Sequence, residues 1–232
     1  MRLQHPVAFT FCTLLSLVGC KPQASTTGGA ETTPPAEGEV AVAEGPSALE
    51  IYDALEASIA AGEDSRSSRD DAYAQIMKIL DDGSAAYAFS RAAVAGRVAE
   101  KRGLQAGGLV AEAETWARKA REIEPDFREG AATRMLGTLY VMAPPRMVEH
   151  GDSEVGLEIL EEEVEAHPER LLGRVRLAEA YIALGDPEPA LPHLCAALVG
   201  RETMAGSERG LLKRLVDEAG GEESLGCAAA AE

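Results

Sequence analysis

Four cysteines, four histidines and one run of glutamates are the groups in this chain that could do chemistry beyond packing and solvation. His193 and Cys195 stand two positions apart, which on a helix points them about 200° from each other and speaks against a shared metal or a dyad. His167 precedes Pro168 at a helix end, where a polar or cationic side chain suits the terminal carbonyls. Glu149 and His150 lie in the stretch "APPRMVEHGD" (143–152) and could touch a ligand there, although a solvated loop is the plainer reading. The run "EILEEEVEAHPE" carries glutamates at 158, 161, 162, 163, 165 and 169. It lacks the Asp/Asn-Gly loop that wraps calcium, so it reads as a solvated helix face. There is no His-Glu-x-x-His, no Cys-x-x-Cys, no glycine-rich phosphate loop and no Gly-x-Ser-x-Gly. No catalytic residue, metal set or cofactor is expected, and the chain does not read as an enzyme.

Cys20 is different, because of where it stands. The apolar run from Val7 to Gly19 is shorter than the roughly 20 residues a bilayer span needs. It has the length of a secretory-signal core. Leu17, Val18, Gly19 and Cys20, "LVGC", resemble the bacterial lipoprotein box. That resemblance implies diacylglycerol on the Cys20 thiol, cleavage just before it and acylation of the new amino terminus. Two or more acyl chains hold a protein on a membrane stably where one does not. The alternatives are a chance cysteine ending an ordinary signal, or an uncleaved anchor. In well-studied Gram-negative lipoproteins an aspartate after the cysteine retains the protein at the inner membrane. Lys21 stands here instead, which implies the outer membrane, facing the periplasm.

The elements that could position any binding residue come next. The chain of 232 residues has a formal net charge of −17 that includes Arg2, so removing residues 1–19 leaves −18 on about 213 residues, enough for one or two domains. An acidic chain is a poor partner for nucleic acid, whose phosphates call for Lys and Arg. It is equally unsuited to lie on anionic lipid. Aromatics make up 4%, and alanine, leucine, glutamate and arginine dominate, which is a helix-forming composition. Residues 21–46 hold almost no large apolar side chain and read as a tether with an r.m.s. reach of roughly 30 Å. Cys12 leaves with the signal. An oxidising compartment permits a disulfide between Cys195 and Cys227, and the other reading is a buried thiol with a frayed tail.

From Ser47 onward the helix punctuation repeats. "SALE" (47–50) is a capping box, Leu49, Tyr52, Leu55 and Ile59 follow at helical spacing, and Gly62 ends the run. A second helix is expected over about 69–81, with Ala72, Ile76, Ile79 and Leu80 inward. A third runs from Ser84 to about Arg102. A fourth covers about 109–124 on Leu109, Ala113, Trp116, Ala120 and Ile123. The fifth spans about 127–142, the sixth about 153–166 behind Asp152, and the seventh about 169–184. The eighth begins with Asp186 as cap and Pro187 as first residue, and Pro192 inside it demands a kink or an irregular first turn. A ninth spans about 207–219. No stretch alternates with period two.

Paired helices call for a repeat test. Leu177, Ala178, Tyr181, Gly185, Ala190, Leu194 and Ala197 match the tetratricopeptide pattern in type and spacing. The preceding pair matches through Leu136, Gly137, Tyr140, Leu160 and Pro168. It carries the inserted 143–152 loop, and Gly156 and Glu163 stand where alanines are expected. Trp116, Tyr140 and Tyr181 fall on inward faces and read as core. The expected fold is an all-α, tetratricopeptide-like solenoid of about four helical pairs plus a C-terminal capping helix. Its parts are the signal (1–19), the lipidated Cys20 with its tether (20–46), the repeat domain (47–219) and a tail (220–232).

"TRMLGTLYVMAPPRMVEHGDSEVGLEILEEEVEAHPE" is similar to one branch of tetratricopeptide lipoproteins, the periplasmic T components associated with TRAP transporters. The shared features are the "LG-x-LY" helix, the "AP" opening of a long loop, the "GD" before the next helix and the later "LAEAYIALGD". The resemblance covers about residues 48–218. It implies a helical-repeat body that partners a periplasmic solute-binding protein, with a channel or pocket through the stack. Other expectations are a scaffold for outer-membrane or pilus assembly, or a carrier of a small apolar ligand.

Overall fold

A computed structural model describes residues 45–227; the signal, Leu17 to Cys20 and nearly all of the tether lie outside the described residues. Among those residues the secondary structure is helical, without a strand. The α-helices are α1 (Ala48–Ala60), α2 (Arg66–Ile76), α3 (Ala85–Ala99), α4 (Gly107–Ile123), α5 (Ala131–Met142), α6 (Ser153–Ala166), α7 (Leu171–Ala183), α8 (Ala190–Val199) and α9 (Gly206–Glu218).

The starts are set by side chains that satisfy free backbone N–H groups. Ser47 Oγ accepts from the Glu50 amide at 3.3 Å while Glu50 accepts the Ser47 amide at 2.8 Å, closing the capping box. Ser84 Oγ accepts from the Tyr87 amide at 3.0 Å, and Asp152 accepts from Glu154 and Val155, each at 3.0 Å.

Each helix packs on its neighbours in the chain, and each odd-numbered helix also packs on the next odd-numbered one. The even-numbered helices pack against the odd-numbered helices that flank them. Helix α9 contacts both α7 and α1, so the odd-numbered row returns to its start. Alanines permit the closest approaches. Ala88, Ala92 and Ala95 of α3 are wholly buried, and this helix carries α1, α2, α4 and α5 against it. Leucines fill the wider gaps: Leu136, Leu160, Leu177 and Leu194 are at most 2% exposed, each worth about 1.5–3 kcal/mol of burial. Where α5 crosses α6 the backbones touch. A Cβ on Gly156 would sit 2.7 Å from the Gly137 carbonyl oxygen, and one on Gly137 would sit 2.6 Å from Leu160 Cγ.

Five expectations are corrected. Helix α2 begins at Arg66 behind Ser65 and stops at Ile76, leaving Leu80 89% exposed and Ile79 half-buried. Asp81 and Asp82 accept the Gly83 and Ser84 amides, each at 2.9 Å, and these local bonds replace another helical turn. Helix α3 ends at Ala99, ahead of a short 3-10 turn at Gly103–Gln105. In α4 the buried face is Val110, Ala113, Glu114, Ala117 and Ala120, so Ile123 is exposed. Helix α8 starts at Ala190, not after Asp186. Pro192 therefore falls in its first turn, where a missing N–H costs no helical bond.

The last correction concerns α5, which begins at Ala131 and not near 127. Arg128, Glu129 and Gly130 all have left-handed backbone, with φ of 48°, 57° and 80°. Glycine adopts this freely, and other residues pay about 1–2 kcal/mol. Glu129→Gly is expected to stabilise the fold by about 0.5–1 kcal/mol, the relief of strain less the added chain entropy of glycine. Urea unfolding measures it, and an unchanged midpoint would contradict a strained Glu129.

Candidate functional site

The 143–152 insertion is docked, and what docks it is a buried carboxylate on α4. Glu114 is 1% exposed, on the same face as Val110, Ala113 and Ala117. It accepts hydrogen bonds from the Tyr140 hydroxyl at 2.9 Å and from the Glu149 and His150 amides at 2.8 Å each. His150 Nδ1 lies 3.2 Å away. Burial pushes this carboxyl up, but the two amides, the tyrosine hydroxyl and the imidazole outweigh it and hold the carboxyl below its ordinary range. Met147 and Val148 pack from the loop onto Ala99, Ala106 and Val110. Gly151 is required because a Cβ there would lie 2.6 Å from the Tyr140 ring. The side chains of Glu149 and His150 remain exposed above a fixed backbone.

A second buried charge holds the left-handed turn. Arg134, 6% exposed, donates to the carbonyls of Glu129 and Arg128, the latter at 3.1 Å. Glu163 stands 3.9 Å from Arg134 and 3.2 Å from Arg170, and Arg170 reaches Asp126 at 2.8 Å. Glu163 is thus 7% exposed, which corrects its reading as part of a solvated face; Glu158, Glu161, Glu162, Glu165 and Glu169 are exposed. Gly130 leaves room for this cluster, since a Cβ there would meet Glu163 Oε1 at 2.7 Å. The turn is also bound to α1, where Arg128 makes two 2.7 Å bonds to Asp53 and lies over the Tyr52 ring.

Between α2 and α4, over α3, runs an open groove of about 430 Å³ lined by Asp70, Tyr73, Val98, Arg102, Gln105 and Leu109. That volume suits a small ligand, but its charged and hydroxyl groups are already paired. Arg102 bonds Asp70 at 2.7 Å, and the Tyr73 hydroxyl donates to Glu112 at 2.6 Å, which also holds Arg91 at 2.8 Å. Arg91 lies over the Trp116 ring, 4.4 Å from its centre.

Of the positions expected from the tetratricopeptide pattern, Leu136, Gly137, Tyr140, Leu177, Ala178, Ala190, Leu194 and Ala197 are buried and Tyr181 is half-buried. Tyr181 stacks on His193 and donates to Glu161 at 2.5 Å. Burial, and then Glu161, push its hydroxyl up to about 12. His193 and Cys195 have separate surroundings: Cys195 is bonded to Cys227, with Cα atoms 5.2 Å apart. Among the described residues no His, Cys, Asp and Glu side chains cluster as a metal site, and no helix is long and apolar enough to cross a membrane.

Sequence reading missed Glu114 and Arg134, the two charges that fix the loop and the turn. For Glu114 a signal was present, because it interrupts the apolar spacing of Val110, Ala113 and Ala117; for Arg134 there was none, since the burial of Ala131 to Thr133 beside it is set by the fold. The chain matches no known protein-family model and no curated protein. What the arrangement shows is a loop and a turn whose backbones are held in place by buried charges.

Proposed function

We propose that the chain is a lipid-tethered, tetratricopeptide-type scaffold of the bacterial envelope, whose partner is a periplasmic solute-binding protein of a TRAP-type transporter. The observation that carries this reading is the packing order: odd-numbered helices follow one another in a row, with even-numbered helices set against them in pairs. Repeats of paired helices present extended surfaces for protein partners. The docked 143–152 loop, which carries part of the resemblance to the T components, supports the same reading by offering a rigid feature on that surface. The disulfide supports an oxidising compartment. "LVGC" followed by Lys21 supports attachment through Cys20 at the outer membrane, facing the periplasm.

The test is a mild-detergent pull-down of the full lipoprotein from its own host, with Cys20→Ala as the untethered control. A soluble solute-binding protein should travel with both forms, because the tether positions the scaffold without forming its binding surface. Recovery of an integral β-barrel alone, or of no partner, would refute the transport assignment.

A further inference from the structure

We propose that residues 220–227 form a redox-operated strap that seals the apolar cluster of the last helices and opens when the Cys195–Cys227 bond is reduced. After α9 the chain reverses at Gly220 and Gly221, whose φ values of 102° and 89° suit glycine. Ser224 closes this reversal by bonding the Gly220 carbonyl at 2.7 Å. Leu225, 6% exposed, then inserts among Val175, Leu194, Met204, Leu211, Leu212 and Leu215, and Cys227 completes the disulfide. Among the described residues, beyond the backbone bonds of Gly220 and Gly221 to the end of α9, three side-chain contacts hold this segment to the rest of the fold. They are one leucine, one ion pair of Glu222 with Arg201 in which both side chains are about half exposed, and the disulfide. Exposed pairs contribute little. The bond therefore decides whether the strap stays, while the cluster beneath it rests on α7, α8 and α9 themselves.

The more exposed of the two cysteines is Cys227, which is half-buried, whereas Cys195 is 8% exposed. A dithiol reductant attacks there, forming a mixed disulfide with Cys227 and expelling the Cys195 thiolate, which takes up a proton. The second thiol of the reductant then displaces Cys227 as a thiol. The protein gains two electrons and two protons, and the dithiol leaves as its disulfide. The freed segment swings on Gly220–Gly221 and withdraws Leu225, leaving an apolar cleft that the strap had occupied. Short segments with few buried contacts open independently of the global fold.

The experiment uses the full chain, oxidised or treated with dithiothreitol, and follows cleavage at the exposed Glu222 and Glu223 by a glutamate-specific protease, read by mass spectrometry. Reduction should raise the cleavage rate by about tenfold or more, with the circular-dichroism helix signal unchanged. Cys227→Ser without reductant should behave as the reduced chain. Equal cleavage of oxidised and reduced chains would overturn the proposal, because Leu225 would then hold the segment alone. Loss of the helix signal on reduction would overturn it too, by making the bond a staple of the whole fold.

Discussion

Replacing Glu114 by alanine is expected to cost about 3–5 kcal/mol of stability and to release the 143–152 loop. Three donors converge on this carboxylate, the amides of Glu149 and His150 and the hydroxyl of Tyr140. Hydrogen bonds to a charged acceptor contribute about 1.5–3 kcal/mol each, and their loss leaves buried donors unsatisfied. Glu114→Gln keeps the volume but turns an N–H against an N–H, so it should cost about 2 kcal/mol or more. Urea unfolding gives the magnitude, and amide exchange at 149 and 150 gives the location. Continued protection of those amides in Glu114→Ala would contradict the docking. The pH dependence has a definite sign. A carboxyl held below its ordinary value of 4.5 contributes its full stabilisation above that value. The contribution fades as pH falls through the lower value of the folded chain, so acid should free this loop before the helices melt.

Gly156→Ala is expected to cost about 3 kcal/mol or more, an unusually large effect for one methyl group. The added Cβ would lie 2.7 Å from the Gly137 carbonyl oxygen and 2.9 Å from the Val141 amide nitrogen. Both are backbone atoms of α5, so no side chain can rotate away and the two helices must part. Gly173→Ala is the control. It also lies within a helix, but its Cβ would meet only Val164 and Glu163 side chains at 3.6 and 3.7 Å. There alanine's better helix propensity should leave stability unchanged or raised by up to about 1 kcal/mol. Similar losses for the two variants would mean that helix crossing does not set the choice of glycine at 156.

Helix existence was legible because caps are local. Ser47, Ser84 and Asp152 each bond within three residues of themselves. Helix ends that depend on irregular backbone were less legible. Asp81 and Asp82 form bends where the apolar spacing continues to Leu80, and Arg128 to Gly130 turn left-handed where the pattern suggests a helix. The candidate site was the least legible part. Glu114 bonds amides 35 and 36 positions away, and Glu163 sits beside Arg134 from a different helix. A charged residue on an apolar face signals only that some partner exists. Which partner it finds depends on how the helices stack. Gly156 was visible as a departure from the repeat pattern, but its cause, a carbonyl of α5, lies on another element.

The contact of α9 with α1 has a consequence for how the molecule comes apart. An open array of helix pairs can fray from either end, because its first and last units have one neighbour each. Here the ends are neighbours of each other, so loosening α9 also strips cover from α1. The chain should unfold in a single cooperative step, and its slowest folding event should be the meeting of its two ends, the most sequence-distant helices in the structure. A circularly permuted chain, with α9 joined to α1 and new termini cut in an exposed turn, should fold faster than the natural order.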